Sequence, residues 1–140
     1  MASKGQMTGM LGVYLVAAEL TRLGFIVSPT SRSAAGADLL VTDQGCKKTW
    51  SVQVKTNRKA AKFWLMSQHD TNTKSDTHMY VFVNIGGDTE RANFLVVCSN
   101  DVASKVVTQV KNNSIWYYFS RPDQLPNNEG WELFGDPIPK

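Results

Sequence analysis

Cysteine is scarce: the 140 residues contain two, Cys46 and Cys98, and neither stands at metal-ligand spacing from another ligating residue. A disulfide framework is therefore not expected, and a reducing, cytoplasmic compartment is. Long apolar runs are also lacking. Residues 10–18, preceded by Lys4 and ending in Ala17-Ala18, imitate the core of a leader peptide. Gly12 interrupts them, however, and the apolar pattern continues at helical spacing through Leu20 and Leu23 to Phe25. No run reaches the roughly 18 apolar residues of a membrane span, so no membrane partner is expected. Internal repeats and low-complexity segments are missing as well. Acidic residues are absent from one particular place. From 47 to 62 there are six basic residues (Lys47, Lys48, Lys55, Arg58, Lys59, Lys62) and no acid, whereas Asp123, Glu129, Glu132 and Asp136 oppose only Lys140 in the tail. The net charge of +3 is mild, so this asymmetry matters more than the total. It predicts one positive surface suited to a polyanion, the plainer reading being a solvated lysine face.

What is present is ordinary for a globular chain: 42% hydrophobic and 19% charged residues. A single domain over 1–140 with one core is the expectation. Residues 5–23 read as a helix with Val13, Val16, Leu20 and Leu23 on one stripe, and Gly24 as its stop. A short strand follows at 25–27, another at 38–41, a turn at Asp43-Gln44-Gly45, and a returning strand at 50–55. Residues 57–77 carry no clear pattern. The run "MYVFVNI" (79–85) predicts a strand buried on both faces, with "FLVVC" (94–98) near it. Asn100 or Asp101 caps a helix expected to run to about Val110, and "IWYYF" (115–119) reads as a strand or packed segment, its aromatics as core. Trp131, Leu133 and Phe134 are expected to pin the tail. The order α-β-β-β, variable connector, β-β-α predicts an α/β protein with a central mixed sheet flanked by helices.

One constellation carries chemistry. Asp38 opens a strand after the small pair Gly36-Ala37, and the next strand supplies Gln53 and Lys55, two apart and so on one face. Counting back from a turn centred on residue 44 sets Asp38 beside Trp50, and a bulge or bend brings it to Gln53. The Asp38 carboxylate, the Gln53 amide oxygen and the Val54 carbonyl then suit a hard divalent cation completed by waters, with Lys55 beside the attacking water. Hydrolysis of a phosphodiester is the reaction such a set suits. Alone, Asp38 reads as a strand-end residue and Lys55 as a surface lysine. His69 and His78, nine apart with no partner in sequence, read as exposed rather than zinc-binding.

Asp38 followed by Gln53-Val54-Lys55 resembles the PD-(D/E)xK nuclease superfamily. The likeness is to the branch with Gln in place of the second acid, which includes small homing-endonuclease-like and Holliday-junction-resolvase-like proteins. "AAELTRLGFIV" (17–27), "GADLLV" (36–41), "VQVKTN" (52–57), "YVFVNI" (80–85) and "WELFG" (131–135) follow that branch's order, so the resemblance covers most of the chain. It implies a restriction-endonuclease-like core and cleavage of DNA with Mg²⁺ or Mn²⁺, Asp38, Gln53 and Lys55 being the catalytic set. Lys47, Lys48, Arg58, Lys59 and Lys62 are then expected at the phosphates. Cutting both strands or a junction calls for a homodimer or homotetramer.

One departure stands out. Many members carry a glutamate in the first helix in a Gly-Glu-Tyr context, which here reads Gly12-Val13-Tyr14. Glu19 lies six residues on, turned about 240° and displaced about 9 Å; Gln6 is close in angle but about 10 Å away along the axis. The alternative expectation is therefore a catalytically silent member of the fold that binds nucleic acid or protein.

Overall fold

The computed structural model describes residues 1–31, 36–87, 90–121 and 128–139. Helix α1 (Lys4–Leu23) begins in a capping box: Gln6 N–H donates to Ser3 Oγ at 3.1 Å, and Ser3 N–H to Gln6 Oε1 at 2.8 Å. It stops where expected, at Gly24, whose φ of 107° is open to glycine at little strain. Strands β1 (Ile26–Pro29), β2 (Leu39–Thr42) and β3 (Thr49–Asn57) follow, then β4 (Phe63–Met66) and the short helix α2 (Gln68–Asn72). Next come β5 (His78–Asn84), β6 (Asn93–Cys98), α3 (Ser99–Lys105), β7 (Val107–Lys111) and β8 (Ser114–Ser120). A 3₁₀ turn, Trp131–Phe134, lies near the end.

A five-stranded sheet, β1-β2-β3-β5-β6, forms the middle layer. Its β3–β5 pair is parallel and the others antiparallel, so it is the mixed sheet that the order of elements predicts. On one face α1 buries Val16 and Leu20 against Val41, Trp50, Val52 and Val81. Phe134 closes this core, its ring 5.7 Å from Trp50 and 5.8 Å from Phe25, which is how the tail is pinned; Leu133 stays exposed. On the other face a three-stranded sheet, β4-β8-β7, delivers Trp64 and Phe119 onto Tyr80 and Phe82, with Val102 of α3 beside them. Strand β5 is thus buried on both sides.

Two expectations change. The helix expected to reach Val110 ends at Lys105, because Val106, Val107, Thr108 and Val110 form a β-branched run. That run enters a hairpin whose turn places Asn112 and Asn113 at φ 51° and 62°, the left-handed pair of a type I′ turn. The unassigned connector, 57–77, contains β4 and α2.

Helix α1 crosses β3 very closely. A Cβ added at Gly12 would overlap Thr56 Oγ1 and lie 2.8 Å from Thr56 Cβ. Gly12→Ala is therefore expected to destabilise by about 1–3 kcal/mol through overpacking. Denaturant midpoints would check this, and unchanged stability would mean that the helix does not approach so near.

Candidate functional site

The β2–β3 ladder sets the site's register. Leu39 pairs with Val52, which puts Asp38 level with Gln53. It is Val41, rather than Asp38, that pairs with Trp50. The difference comes from the loop between Thr42 and Thr49, longer than the assumed turn. Asp43 holds it by accepting from Lys47 N–H at 2.9 Å and Lys48 N–H at 3.2 Å, with Cys46 at φ 54°. No bulge is needed. Asp38 N–H donates to Val52 C=O at 2.7 Å, and its Oδ2 accepts from Val54 N–H at 2.8 Å. Burial pushes the Asp38 carboxyl above its usual range, partly offset by that N–H and by the charge of Lys55.

Asp38, Gln53 and Val54 line a cleft of about 450 Å³ whose far wall is α1, contributing Met10 and Val13. Val13 thus stands across the cleft from Asp38. Gln6 also lines it, its amide oxygen already engaged in the capping box. Glu19 points elsewhere, pairing with Arg22 at 3.0 Å and Arg91 at 3.2 Å. Among the described residues no three His, Cys, Asp or Glu side chains converge as metal ligands. The Asp38 carboxylate is the one acidic group lining the cleft among the described residues, beside the Gln53 amide and the hydroxyls of Tyr14, Thr30 and Ser31.

Lys55 is held by a residue that sequence reasoning missed. Its Nζ lies 2.9 Å from Oδ2 of Asp70, whose side chain is only 4% exposed. The same Oδ2 accepts from Ser67 N–H at 2.6 Å and Ser67 Oγ at 2.9 Å, while Oδ1 accepts from the Tyr80 hydroxyl at 2.8 Å. Burial alone would raise the Asp70 pKa, but Lys55, Ser67 and Tyr80 outweigh it and hold the carboxyl below the usual range. Burial and the neighbouring carboxylate push the Tyr80 phenol far up. Ser67-x-x-Asp70 after the apolar 63–66 run was a legible capping signal. Nothing in the spacing linked it to Lys55.

The exposed reading fits His69 but not His78. His69 is exposed and lies against Gly36, where an added Cβ would meet its Nε2 at 3.0 Å. His78 is buried, its Nδ1 2.6 Å from Ser51 Oγ. Burial lowers its pKa below 6.5, the charge of Asp70 pulling the other way. A depressed histidine pKa gives stability that is present above the unfolded value and lost as pH falls through it. The thermal midpoint is therefore expected to fall between pH 7 and pH 5, and His78→Asn to flatten that fall. An identical slope in the variant would contradict it.

The basic residues do not form one surface. Lys47 and Lys48 sit in the β2–β3 loop, Lys48 lying 6.0 Å from the Trp50 ring, whereas Arg58, Lys59 and Lys62 follow the opposite end of β3. A strand of that length separates the two groups by about 26 Å. The loop carrying Arg58, Lys59 and Lys62 is held by Asn57 Nδ2 to Phe63 C=O and Asn84 Nδ2 to Ala61 C=O, both 2.8 Å, and all three basic residues are exposed. Contiguity in sequence does not mean proximity across a nine-residue strand.

The fold is thus a mixed α/β sheet flanked by helices, with Asp38, Gln53 and Val54 at a cleft beside the first helix. Among solved structures, the chain is similar to a bacterial homing endonuclease, I-Ssp6803I, with a TM-score of 0.52 at 14% identity, covering 89% of this chain and 80% of that one. At such identity the likeness is one of fold. No family model matches the chain, and no curated protein does. No helix among the described residues is long and apolar enough to cross a membrane.

Proposed function

We propose that this chain is a metal-dependent DNA endonuclease of the PD-(D/E)xK type, acting in the cytoplasm, with residues 1–140 forming one domain. The observation that carries the reading is the place of Asp38, one residue beyond the Leu39–Val52 pair and bonded to Val52 and Val54, which sets it level with Gln53, with Lys55 two residues on. The donor chemistry fits a weakly held Mg²⁺ or Mn²⁺. Asp38 is a desolvated carboxylate with one oxygen fixed by Val54 N–H, and the Gln53 amide and Val54 carbonyl add neutral oxygens. A bound divalent ion supplies Lewis-acid polarisation of the phosphate and an acidified water. Asp38 and Gln53 orient that ion. Lys55, positioned by Asp70, offers its ammonium to the charge that develops on the phosphate oxygens. Arg58, Lys59 and Lys62 contact backbone phosphates near the C-terminal end of β3. Lys47 and Lys48 form a second phosphate-binding surface about 26 Å away. Cleavage of both strands requires two or four copies.

The test is incubation of the protein with supercoiled, linear and branched DNA and Mg²⁺ or Mn²⁺, with Lys55→Ala as the control. Nicked product from wild type and none from the variant is expected; equal product from both would overturn the assignment of Lys55. A second reading, a catalytically silent DNA-binding protein, is favoured by one observation: the cleft position opposite Asp38 is Val13 and brings no carboxylate. Under either reading DNA binding is largely electrostatic. Replacing Arg58, Lys59 and Lys62 with alanine is expected to flatten the salt dependence by about one unit of slope for each phosphate no longer neutralised. An unchanged slope would remove this loop from the interface.

A further inference from the structure

The outer face of the β4-β8-β7 sheet is aromatic, and among the described residues nothing covers it. Alternation along β8 turns Phe119 inward and leaves Trp116 on the outside, so the "IWYYF" run is only partly core. Trp116 is 45% exposed, and the neighbouring strand adds Phe63 at 51% and Leu65 at 55%. Leu65 pairs with Tyr118, whose ring stands 6.0 Å from that of Phe63 in edge-to-face contact. Together they line a cleft of about 730 Å³ whose rim carries Lys111 and Asn112. This is a concave apolar floor with polar groups at the edge, the composition of a small-ligand site.

Charge identifies the occupant. Residues 58–66 and 105–121 contain Arg58, Lys59, Lys62, Lys105, Lys111 and Arg121, and no Asp or Glu. Lys111 lies at one end of the aromatic stripe. At the other end, just past the Phe63–Ser120 pair, the backbone bond from Arg121 N–H to Lys62 C=O at 3.0 Å sets two exposed basic residues at the edge of the sheet. Pairing of two copies through this face about a two-fold axis would set like charges against each other. A polyanion meets no such penalty. The ligand must therefore combine negative charge with flat apolar rings. Alternate residues on a strand point to one face about 6.8 Å apart, which sets Trp116 and Tyr118 side by side as a platform for bases. Paired bases hide their faces within the duplex, whereas unpaired ones offer them.

We infer that the outer face of this sheet binds unpaired nucleic-acid strands, with bases stacked on Trp116, Tyr118 and Phe63 and phosphates held by Lys62, Lys111 and Arg121. The inference rests on the reading of the chain as a DNA-binding protein and adds the single-stranded state of the bound segment. It does not depend on cleavage.

The experiment is an anisotropy titration of labelled oligothymidylate, beside a labelled duplex, in EDTA. Wild-type protein, Trp116→Ala and Trp116→Phe are compared, and sedimentation is run on each. The wild type is expected to bind oligothymidylate. Trp116→Ala should weaken that binding about 5- to 100-fold, with Trp116→Phe much closer to wild type and duplex affinity changed less than about twofold. Trp116 is exposed, so the variant should unfold at the wild-type temperature. Unchanged oligothymidylate affinity in Trp116→Ala would overturn the inference. So would duplex binding without oligothymidylate binding, a result that leaves the endonuclease reading standing. A dimer that Trp116→Ala dissociates, and that oligothymidylate does not compete with, would make the face a contact between copies and also overturn it.

Discussion

Replacing Asp70 with alanine is expected to cost about 3–5 kcal/mol of stability, because one substitution strips partners from several buried groups. The Tyr80 hydroxyl donates to Asp70 from a ring that is almost wholly buried, and an unsatisfied hydroxyl there costs about 1–3 kcal/mol. The Asp70 half of the capping box at the start of α2 goes too, while Ser67 Oγ still accepts from the backbone N–H of residue 70. Lys55 loses its counter-ion, although its partial exposure lets it recover some solvation. Tyr80→Phe in the Asp70→Ala background should restore part of the loss, the signature of a shared network. The carboxyl sits below its unfolded value of 3.8, so its contribution is present at neutral pH and lost only on acidification below that value. Urea unfolding of the single and double variants is the check. A loss under about 1 kcal/mol for Asp70→Ala would mean that water reaches the network and Lys55 is not held.

Val13→Glu is expected to destabilise the metal-free protein by several kcal/mol, or to shift the new carboxyl's pKa upward, and then to reverse the effect when Mn²⁺ is added. Val13 lines the cleft with Asp38 and Gln53, and the Asp38 carboxyl there is already raised by burial. A second carboxylate would add desolvation and like-charge repulsion. A divalent cation removes both penalties, and a ligand that binds only the folded state stabilises it by about RT ln(1 + [L]/Kd). Thermal shifts for wild type and variant, with and without Mn²⁺, beside a plasmid-nicking assay, give the answer. Metal affinity and any cleavage should rise together. A variant as stable as wild type that gains no metal-dependent shift would show that position 13 does not face the site.

Much of this was legible in the sequence, for identifiable reasons. Periodicity revealed α1, and Gly24 marked its end, because both signals are local. The continuous apolar run marked β5, since a strand covered on both faces has no polar positions. Gln53 and Lys55 share a face by the geometry of any strand. The register of Asp38 was not legible, since it depends on a loop whose length Asp43 sets by folding back on Lys47 and Lys48. Asp70 escaped notice because its link to Lys55 runs between elements that meet only in three dimensions. Strand β7 was misread as the end of a helix because Asn100 and Asp101 signal a start, while the stop lay in β-branched composition rather than in a glycine. The basic surfaces were merged for a similar reason: sequence distance was taken for spatial distance across β3.

Asp38 and Gln53 are expected to form a divalent-cation site, and calorimetric titration with Mn²⁺ measures whether they do. With a single formal negative charge among the donors, affinity should be weak, in the millimolar range, and stronger for Mn²⁺ than for Mg²⁺. Wild type is expected to bind one ion and Asp38→Asn none, with Gln53→Ala intermediate. No heat of binding at millimolar Mn²⁺, or identical binding in wild type and Asp38→Asn, would contradict it and remove the basis for hydrolysis at this cleft.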